Sequence, residues 1–196
     1  EAATLMITRL SGAHERMEVD EREQAFARLA TPVAKYWLTK QSNPVVREAL
    51  ECVGGNGYVE DSMMPRLYRE APLNAIWEGA GNVIALDIGR AASRNPESVE
   101  IFLEELEQSR GRDAGIDEHL DALRAEFANP LSEAEARRLV EKLAITWAAT
   151  LMVEYGHPSV GEAYLMSRVG GDHGSLFGTL PTSCDLEEIS RRAVPA

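Results

Sequence analysis

The amino-acid sequence predicts an all-α protein. Apolar residues recur at steps of three and four through most of its 196 residues, which is the spacing of one face of a helix. No stretch shows the sustained alternation of apolar and polar residues that is typical of strands. Prolines and short polar residues stand at the candidate helix starts, and glycines stand at the candidate ends. These patterns together predict a helical bundle without a sheet.

The first part of the chain predicts three helices. A helix over residues 1–10 is expected to end at Gly12, and Asp20 followed by Glu23 has the form of a new N-cap. Pro32 leaves two possibilities for the helix that follows, a kink or a restart. A third helix is predicted to open at Asn43-Pro44 and to end at Gly54-Gly55. Two apolar stripes are predicted to be buried, Phe26, Leu29, Ala30, Val33 and Trp37 in the second helix, and Val46, Ala49, Leu50 and Val53 in the third.

The remaining chain predicts shorter helices separated by prolines and glycines. Helices are expected over residues 65–70, 73–77 and 81–94, and a short helix is expected to close the chain after a glycine-rich loop. Ser132 with Glu135 predicts a capping box for what we expect to be the longest helix. The apolar stripes predicted here are Val99, Phe102, Leu103 and Leu106, then Ile116, Leu120, Leu123 and Phe127, then Leu139, Leu143, Trp147 and Leu151.

Helix continuity and charge both change at Asn95-Pro96. Residues 1–96 hold 11 Lys and Arg against 13 Asp and Glu, whereas residues 97–196 hold 9 against 19. We therefore predict two domains, residues 1–95 and a helical extension over residues 96–196. The excess of acids opposes nucleic-acid binding, because phosphate contacts depend on Lys and Arg. Nucleic acid is thus a possible partner that the charge disfavours.

Bulk properties narrow the class of protein further. The sequence contains no apolar run of transmembrane length and no signal-peptide pattern, so we expect a cytoplasmic protein that does not enter a membrane. Cys52 and Cys184 are far apart and the four histidines are scattered, so no disulfide and no metal site are predicted. The chain starts with Glu1 as though inside a helix, and we expect it to be a fragment.

The glycine-rich stretch Gly54-Gly55-Asn56-Gly57 has two interpretations. It lacks the preceding strand and the G-x-G-x-x-G spacing of a dinucleotide fingerprint, so the residues alone favour a helix end followed by a tight turn. Such a turn also exposes backbone N–H groups that a phosphate or a flavin edge could approach.

Glu78 stands between Trp77 and the Gly79-Ala80-Gly81 turn, and it also has two interpretations. Partial desolvation by its neighbours would raise the pKa of the carboxyl and suit it to accept a proton. Alternatively, Glu78 faces water or accepts N–H bonds at the start of the next helix. The spacing alone favours the second interpretation.

Three sequence motifs bear on the choice between the two interpretations of Glu78. They are E-C-V-G-G-N-G-Y, P-R-L-Y-R-E-A and I-W-E-G-A-G-N-V, in this order. Over about residues 1–94 they resemble the C-terminal helical domain of the acyl-CoA dehydrogenase family, a four-helix bundle. Asn74, Trp77, Asn82 and the long chain that follows look most like the branch associated with the bacterial response to DNA alkylation damage.

The resemblance implies that Glu78 is the catalytic base of an FAD-dependent acyl-CoA dehydrogenase. It also implies that Glu51, Gly54, Gly55, Ala80 and Asn82 lie against FAD, the two glycines against the cofactor of a neighbouring subunit in a dimer or tetramer. Ala80 departs from the usual Thr or Ser, and Glu51 adds a charge near an anionic cofactor. Some members carry the base on an earlier helix. We expect the 196-residue chain alone not to retain FAD.

A second function follows from the same resemblance. The scaffold could serve DNA protection in the alkylation response, with a vestigial dehydrogenase activity. The basic clusters of the extension are each surrounded by acids, so the sequence favours solvated helix faces at Arg137-Arg138, Lys142 and Arg191-Arg192.

Overall fold

The computed structural model describes residues 1–130 and 132–194, and within these ranges the chain forms helices and no strand. The prediction of an all-α fold is therefore confirmed. A 3₁₀ turn at Ala71–Ala75 and a π turn at Leu165–Val169 supplement the α-helices. The α-helices are α1 (Ala2–Arg16), α2 (Glu21–Cys52), α3 (Gly55–Tyr58), α4 (Met64–Glu70), α5 (Gly81–Arg94), α6 (Pro96–Glu107), α7 (Ala114–Phe127), α8 (Ala136–Tyr155), α9 (Pro158–Tyr164) and α10 (Leu186–Ala193).

Helix α2 is the element on which the others pack. Helices α1, α5, α6 and α8 all contact it, and α7 and α9 pack on α8. None of the described helices combines the length and the apolar character that crossing a bilayer requires.

Three aromatic rings occupy the centre of the core. Phe26 of α2 stacks on Phe102 of α6 with ring centroids 5.5 Å apart, and Trp147 of α8 meets both rings edge-on at 5.6 Å. All three side chains are buried. Aromatic pairs in these geometries add about 0.5–1.5 kcal/mol each beyond the apolar area they bury. The triad therefore joins α2, α6 and α8 at one point.

Arg9 of α1 covers one side of this triad. Its guanidinium lies 4.0 Å from the centre of the Phe26 ring and forms ion pairs with Glu23 at 2.8 Å and with Glu105 at 2.5 Å. Burial by itself would raise the pKa of Glu23, but hydrogen bonds from Arg16 and Arg9 outweigh burial and hold that pKa below its usual range. The Arg9 contacts thus add α1 to the group of helices that the triad joins.

Helix α2 continues through both of its prolines. The prediction that Asn43-Pro44 opens a separate helix is wrong, and of the two possibilities at Pro32 the restart is excluded. Each proline removes one backbone hydrogen bond at a cost of about 3 kcal/mol or more. Burial of the α2 face that begins at Ala25 and ends at Tyr36 outweighs the loss at Pro32.

The second half of α2 extends past the core. The prediction of a buried stripe there is wrong, because Ala49 and Val53 are exposed while Val46 and Leu50 are half-buried. Helix α2 also contacts α3, α4 and the 3₁₀ turn. The stripe has the right periodicity, but the described chain provides no element to cover it fully.

The other predicted elements differ from the structure mainly at their ends. Helix α5 has the predicted bounds, and the three stripes of the extension are buried except for the half-buried Phe127. Helix α1 continues past Gly12 because Ala13 packs in the core. The capping box at Ser132 is wrong, since α8 begins at Ala136, and α2 is the longest described helix.

The predicted domain boundary coincides with the junction of α5 and α6 at Asn95. The hydrophobic core nevertheless includes residues from both sides of it, such as Phe26 and Phe102. The division into two domains stays a prediction.

The start of α5 generates a first testable prediction. Ala80 is its N-cap, with φ −66° and ψ 154°, and its side chain cannot accept a hydrogen bond from the free N–H groups of Asn82 and Val83. Ala80→Ser should therefore raise the free energy of unfolding by about 1 kcal/mol and Tm by about 2–4 °C. Thermal unfolding by circular dichroism measures this.

The matched control is Ala125→Ser on the exposed surface of α7. That substitution places serine inside a helix, where it costs about 0.5 kcal/mol. Equal Tm changes in the two variants would contradict the capping explanation.

Candidate functional site

Glu78 lies in a short loop between the 3₁₀ turn and α5. Its backbone has φ +56°, and it is the one non-glycine residue within the described ranges with a positive φ. Gly79 follows with φ +105°. A left-handed glutamate costs about 1–2 kcal/mol relative to ordinary backbone, so the surrounding contacts must hold it there.

Lys35 of α2 provides that contact. Its ammonium donates to the carbonyl oxygen of Trp77 at 2.5 Å and to that of Gly79 at 3.4 Å, on either side of Glu78. A single side chain thereby holds the 77–78 peptide group directly before the glutamate and the 79–80 peptide group one residue beyond it. No local sequence signal predicted this role, because the two partners are more than 40 residues apart.

The loop then passes close to the surface of α2 at Gly81. A Cβ at this buried position would lie 2.5 Å from Cε of Lys40 and 3.4 Å from the ring of Tyr36. The absence of a side chain therefore lets the start of α5 pack against α2. Lys40 in turn lies 5.2 Å from the centre of the Tyr36 ring.

The interpretation that Glu78 is partly desolvated is wrong for this chain, because the residue is exposed. The alternative interpretation, that it faces water, describes the structure. The physical reason is that its apolar neighbours Ile76 and Trp77 are themselves 62% and 57% exposed and do not fold over it. The Glu78 carboxylate therefore lies on an exposed surface whose neighbouring side chains are apolar.

The glycine turn follows α2 as predicted. Gly54 has φ +63°, and its N–H donates to the carbonyl of Glu51 at 3.0 Å. A Cβ on Gly57 would lie 2.4 Å from the carbonyl oxygen of Leu50, so only glycine fits there. Gly54 and Gly55 have no atom within 4 Å of an added Cβ and expose their backbone.

Glu51 lines a cleft of about 710 Å³ beside this turn. Arg47 pairs with it at 3.1 Å, which offsets the charge that the sequence places there. Tyr58 and Tyr68 line the same cleft, and the sequence analysis did not single out either tyrosine. Arg69 of α4 pairs with Glu60 at 2.7 Å in the same region.

The site residues that the resemblance implies form two groups. Glu78, Ala80 and Asn82 share the loop that Lys35 fixes, whereas Glu51, Gly54 and Gly55 lie at the far end of α2. Sixteen residues separate Lys35 from Glu51, which is roughly 24 Å along a helix axis. The structure therefore does not bring the two groups together in one pocket, and only an extended ligand could contact both.

The basic clusters of the extension are mostly neutralised. Lys142 pairs with Glu126, Arg191 with Glu188 and Arg192 with Glu1, and Arg137 donates to the hydroxyl of Tyr36. In the described part of the chain, no three His, Cys, Asp or Glu side chains are grouped as a metal site would require.

A known protein family matches the part of the chain that carries Glu78 and the glycine turn. The family model described as "Acyl-CoA dehydrogenase, C-terminal domain" matches residues 1–93. AidB of Escherichia coli (strain K12), an acyl-CoA dehydrogenase homologue, is 35% identical over 164 residues. That match covers 84% of this chain and therefore continues into the extension, but it covers only 30% of AidB.

Two further comparisons agree with this match. Acyl-CoA dehydrogenase family member 11 of Caenorhabditis elegans is 40% identical over 112 residues, which are 57% of this chain and 18% of that protein. The crystal structure of C. elegans ACDH-11 in complex with C11-CoA superposes with a TM-score of 0.68 at 25% identity, covering 85% of this chain and 33% of that chain. This chain therefore spans about a third or less of the length of these relatives. We conclude that it belongs to the acyl-CoA dehydrogenase family, whose C-terminal domain model matches residues 1–93.

Proposed function

We propose that this chain carries the base and part of the cofactor site of a flavin-dependent acyl-CoA dehydrogenase. Glu78 removes a proton from the α-carbon of an acyl-CoA thioester as the α,β double bond forms. The observation that carries the proposal is the strained backbone of Glu78, held from both sides by Lys35. Strain of this kind concentrates at functional sites.

The exposed surroundings of Glu78 fit a site that is completed by another surface. Leu73, Ile76 and Trp77 expose apolar side chains beside the carboxylate. A substrate and further protein segments that cover them would remove water from Glu78 and strengthen it as a base. Because a relative is solved in complex with C11-CoA, an acyl-CoA of that chain length is a suitable first substrate to assay.

We infer that FAD is the cofactor and that two places on this chain contact it. When bound, FAD would supply the acceptor for the hydride that leaves the β-carbon of the substrate. The residues present fit such a group, because Gly54 and Gly55 expose backbone with open space around it and Arg47 balances the charge of Glu51. Ala80 and Asn82 are exposed at the other place, where the first turn of α5 has free N–H groups.

We further propose that the protein self-associates as a dimer or tetramer. Large apolar side chains are exposed between the end of α2 and the start of α5, and extensive exposed apolar surface marks association sites. They include Val53, Tyr58, Val59, Met63, Leu67, Tyr68, Leu73, Ile76, Trp77 and Val83.

DNA binding with a vestigial dehydrogenase activity is the alternative function. It rests on the similarity to the alkylation-response branch, and the net charge of −12 and the paired basic residues oppose it. Strong, salt-dependent affinity for duplex DNA without acyl-CoA turnover would favour this alternative.

The role of Glu78 generates a second prediction. In a polypeptide of the relatives' length that includes this chain, Glu78→Gln should slow flavin bleaching by an acyl-CoA by roughly 10²–10⁴-fold. The glutamine keeps the size of the side chain but cannot accept the proton. Stopped-flow absorbance measures the bleaching, with flavin content and acyl-CoA affinity as controls for folding.

Glu70→Gln is the matched control, since Glu70 is an equally exposed carboxylate at the end of α4. It should leave bleaching unchanged. Equal bleaching rates in the wild type and Glu78→Gln would remove Glu78 as the base and favour a carboxylate elsewhere in the protein.

The Lys35 contact generates a third prediction. Lys35→Met keeps the aliphatic stem but removes both hydrogen bonds to the Glu78 loop. The amides of Ile76 and Trp77, which donate to the carbonyl of Leu73, should then exchange with solvent roughly tenfold faster, because charged hydrogen bonds of this kind contribute about 1.5–3 kcal/mol before exposure weakens them. Hydrogen exchange on the 196-residue chain measures this.

Lys35→Arg should restore most of the protection, because a guanidinium also donates to carbonyls. Arg47→Met, at the other end of α2, should leave exchange at Ile76 and Trp77 unchanged. If Lys35→Met changes exchange only through a loss of global stability, the loop is not held by Lys35.

The separation of the two cofactor contacts generates a fourth prediction. Because both places are exposed and roughly 24 Å apart along α2, the 196-residue chain should not retain FAD after purification. An absorbance spectrum checks this, and a flavin band at near-stoichiometric yield would contradict it.

A further inference from the structure

A second candidate site lies in the extension, at the π turn that follows α9. Residues Leu165–Val169 form this turn, and the N–H of Gly170 donates to the carbonyl of Leu165 at 2.8 Å, five residues back. Single π turns are rare and are frequently found at functional sites. This turn presents Ser167 and Arg168 to a neighbouring cleft.

The cleft has a volume of about 570 Å³. One wall is α2 at Gln41 and Pro44, and the opposite wall is the loop over residues 173–180 together with α10. The loop has a defined shape, because Thr179 accepts from the N–H of Gly174 at 2.9 Å and donates to the carbonyl of Leu176 at 2.7 Å. A volume of this size is typical of small-molecule sites.

The lining combines apolar side chains with a single arginine. Phe177, Leu180 and Leu186 are exposed residues that line the cleft, and Arg168 and His173 are its titratable lining residues. None of the lining residues is an aspartate or glutamate, although residues 97–196 carry ten more acids than bases. The four other large clefts described each contain at least one carboxylate.

Arg168 is unusual among the arginines of this chain. It is half-buried, and within the described residues it has no carboxylate partner and no hydrogen-bond acceptor. The other half-buried arginines, Arg9 and Arg124, are both ion-paired. A partly desolvated guanidinium without a partner is costly, and a ligand carboxylate would satisfy it with two parallel hydrogen bonds.

We propose that this cleft binds a small amphipathic carboxylate, with the carboxylate on Arg168 and a medium-length hydrocarbon chain along Phe177, Leu180 and Leu186. The positive charge of Arg168 favours an anionic ligand. The apolar side chains favour a ligand with a hydrocarbon chain over an inorganic anion. The Glu78 loop does not line this cleft, so the site is independent of the proposed dehydrogenase function.

The test is a calorimetric titration of the 196-residue chain with decanoate, below the concentration at which decanoate forms micelles. Saturable one-to-one binding is expected. Arg168→Gln should weaken it roughly 10- to 100-fold, because a charge-assisted pair is lost. Arg168→Lys should keep part of the affinity, and Arg138→Gln, an exposed arginine on α8, should leave it unchanged.

Two further experiments test the apolar lining and the carboxylate separately. Phe177→Ala should weaken decanoate binding without unfolding the chain, which circular dichroism checks, since Phe177 lies in an exposed loop. Inorganic phosphate and decanol should each bind far more weakly than decanoate. Absence of saturable decanoate binding, equal binding of phosphate, or equal affinity in Arg168→Gln would each overturn the proposal.

Discussion

The packing of Phe26 against Phe102 and Trp147 is the contact on which the rest of this structure depends. It joins the first half of α2 to α6 and α8, and Arg9 adds α1 through its ion pairs with Glu23 and Glu105. Because α2 is one continuous helix, fixing its first half also fixes the position of its second half. The glycine turn and the Glu78 loop, which carry the candidate site residues, are attached to that second half and to the middle of the helix, outside the core.

This arrangement explains why the candidate site is open in the described chain. The contacts that shape the Glu78 loop come from α2 below it, through Lys35 and the close approach at Gly81. Nothing in the described chain covers it from above, and the apolar side chains around Glu78 are exposed. A chain that spans about a third of its relatives can thus hold the proposed base in position and still depend on other surfaces to desolvate it.

Much of the fold could be predicted from the sequence, because helical periodicity and capping are local. The bounds of α5, the N-cap at Asp20 and the stripes through Phe102 and Trp147 follow from residues a few positions apart. The continuity of α2 could not be predicted, since it depends on distant packing that outweighs the loss at a proline. The role of Lys35 could not be predicted for the same reason, since its hydrogen-bond partners are more than 40 residues away. The spacing around Glu78 favoured a water-facing side chain but could not decide its exposure, because neighbours in the chain do not determine what covers a side chain.

The central claim is that Glu78 removes the α-proton of a thioester, and solvent exchange at that carbon tests it most directly. A polypeptide of the relatives' length that includes this chain would be incubated in D₂O with 3,3-dimethylbutanoyl-CoA, which has α-hydrogens but no β-hydrogen to transfer. The account predicts that deuterium enters the α-position at a rate that depends on protein concentration and that Glu78→Gln abolishes this exchange. Exchange that proceeds equally in Glu78→Gln would contradict the account, because another group would then be removing the proton.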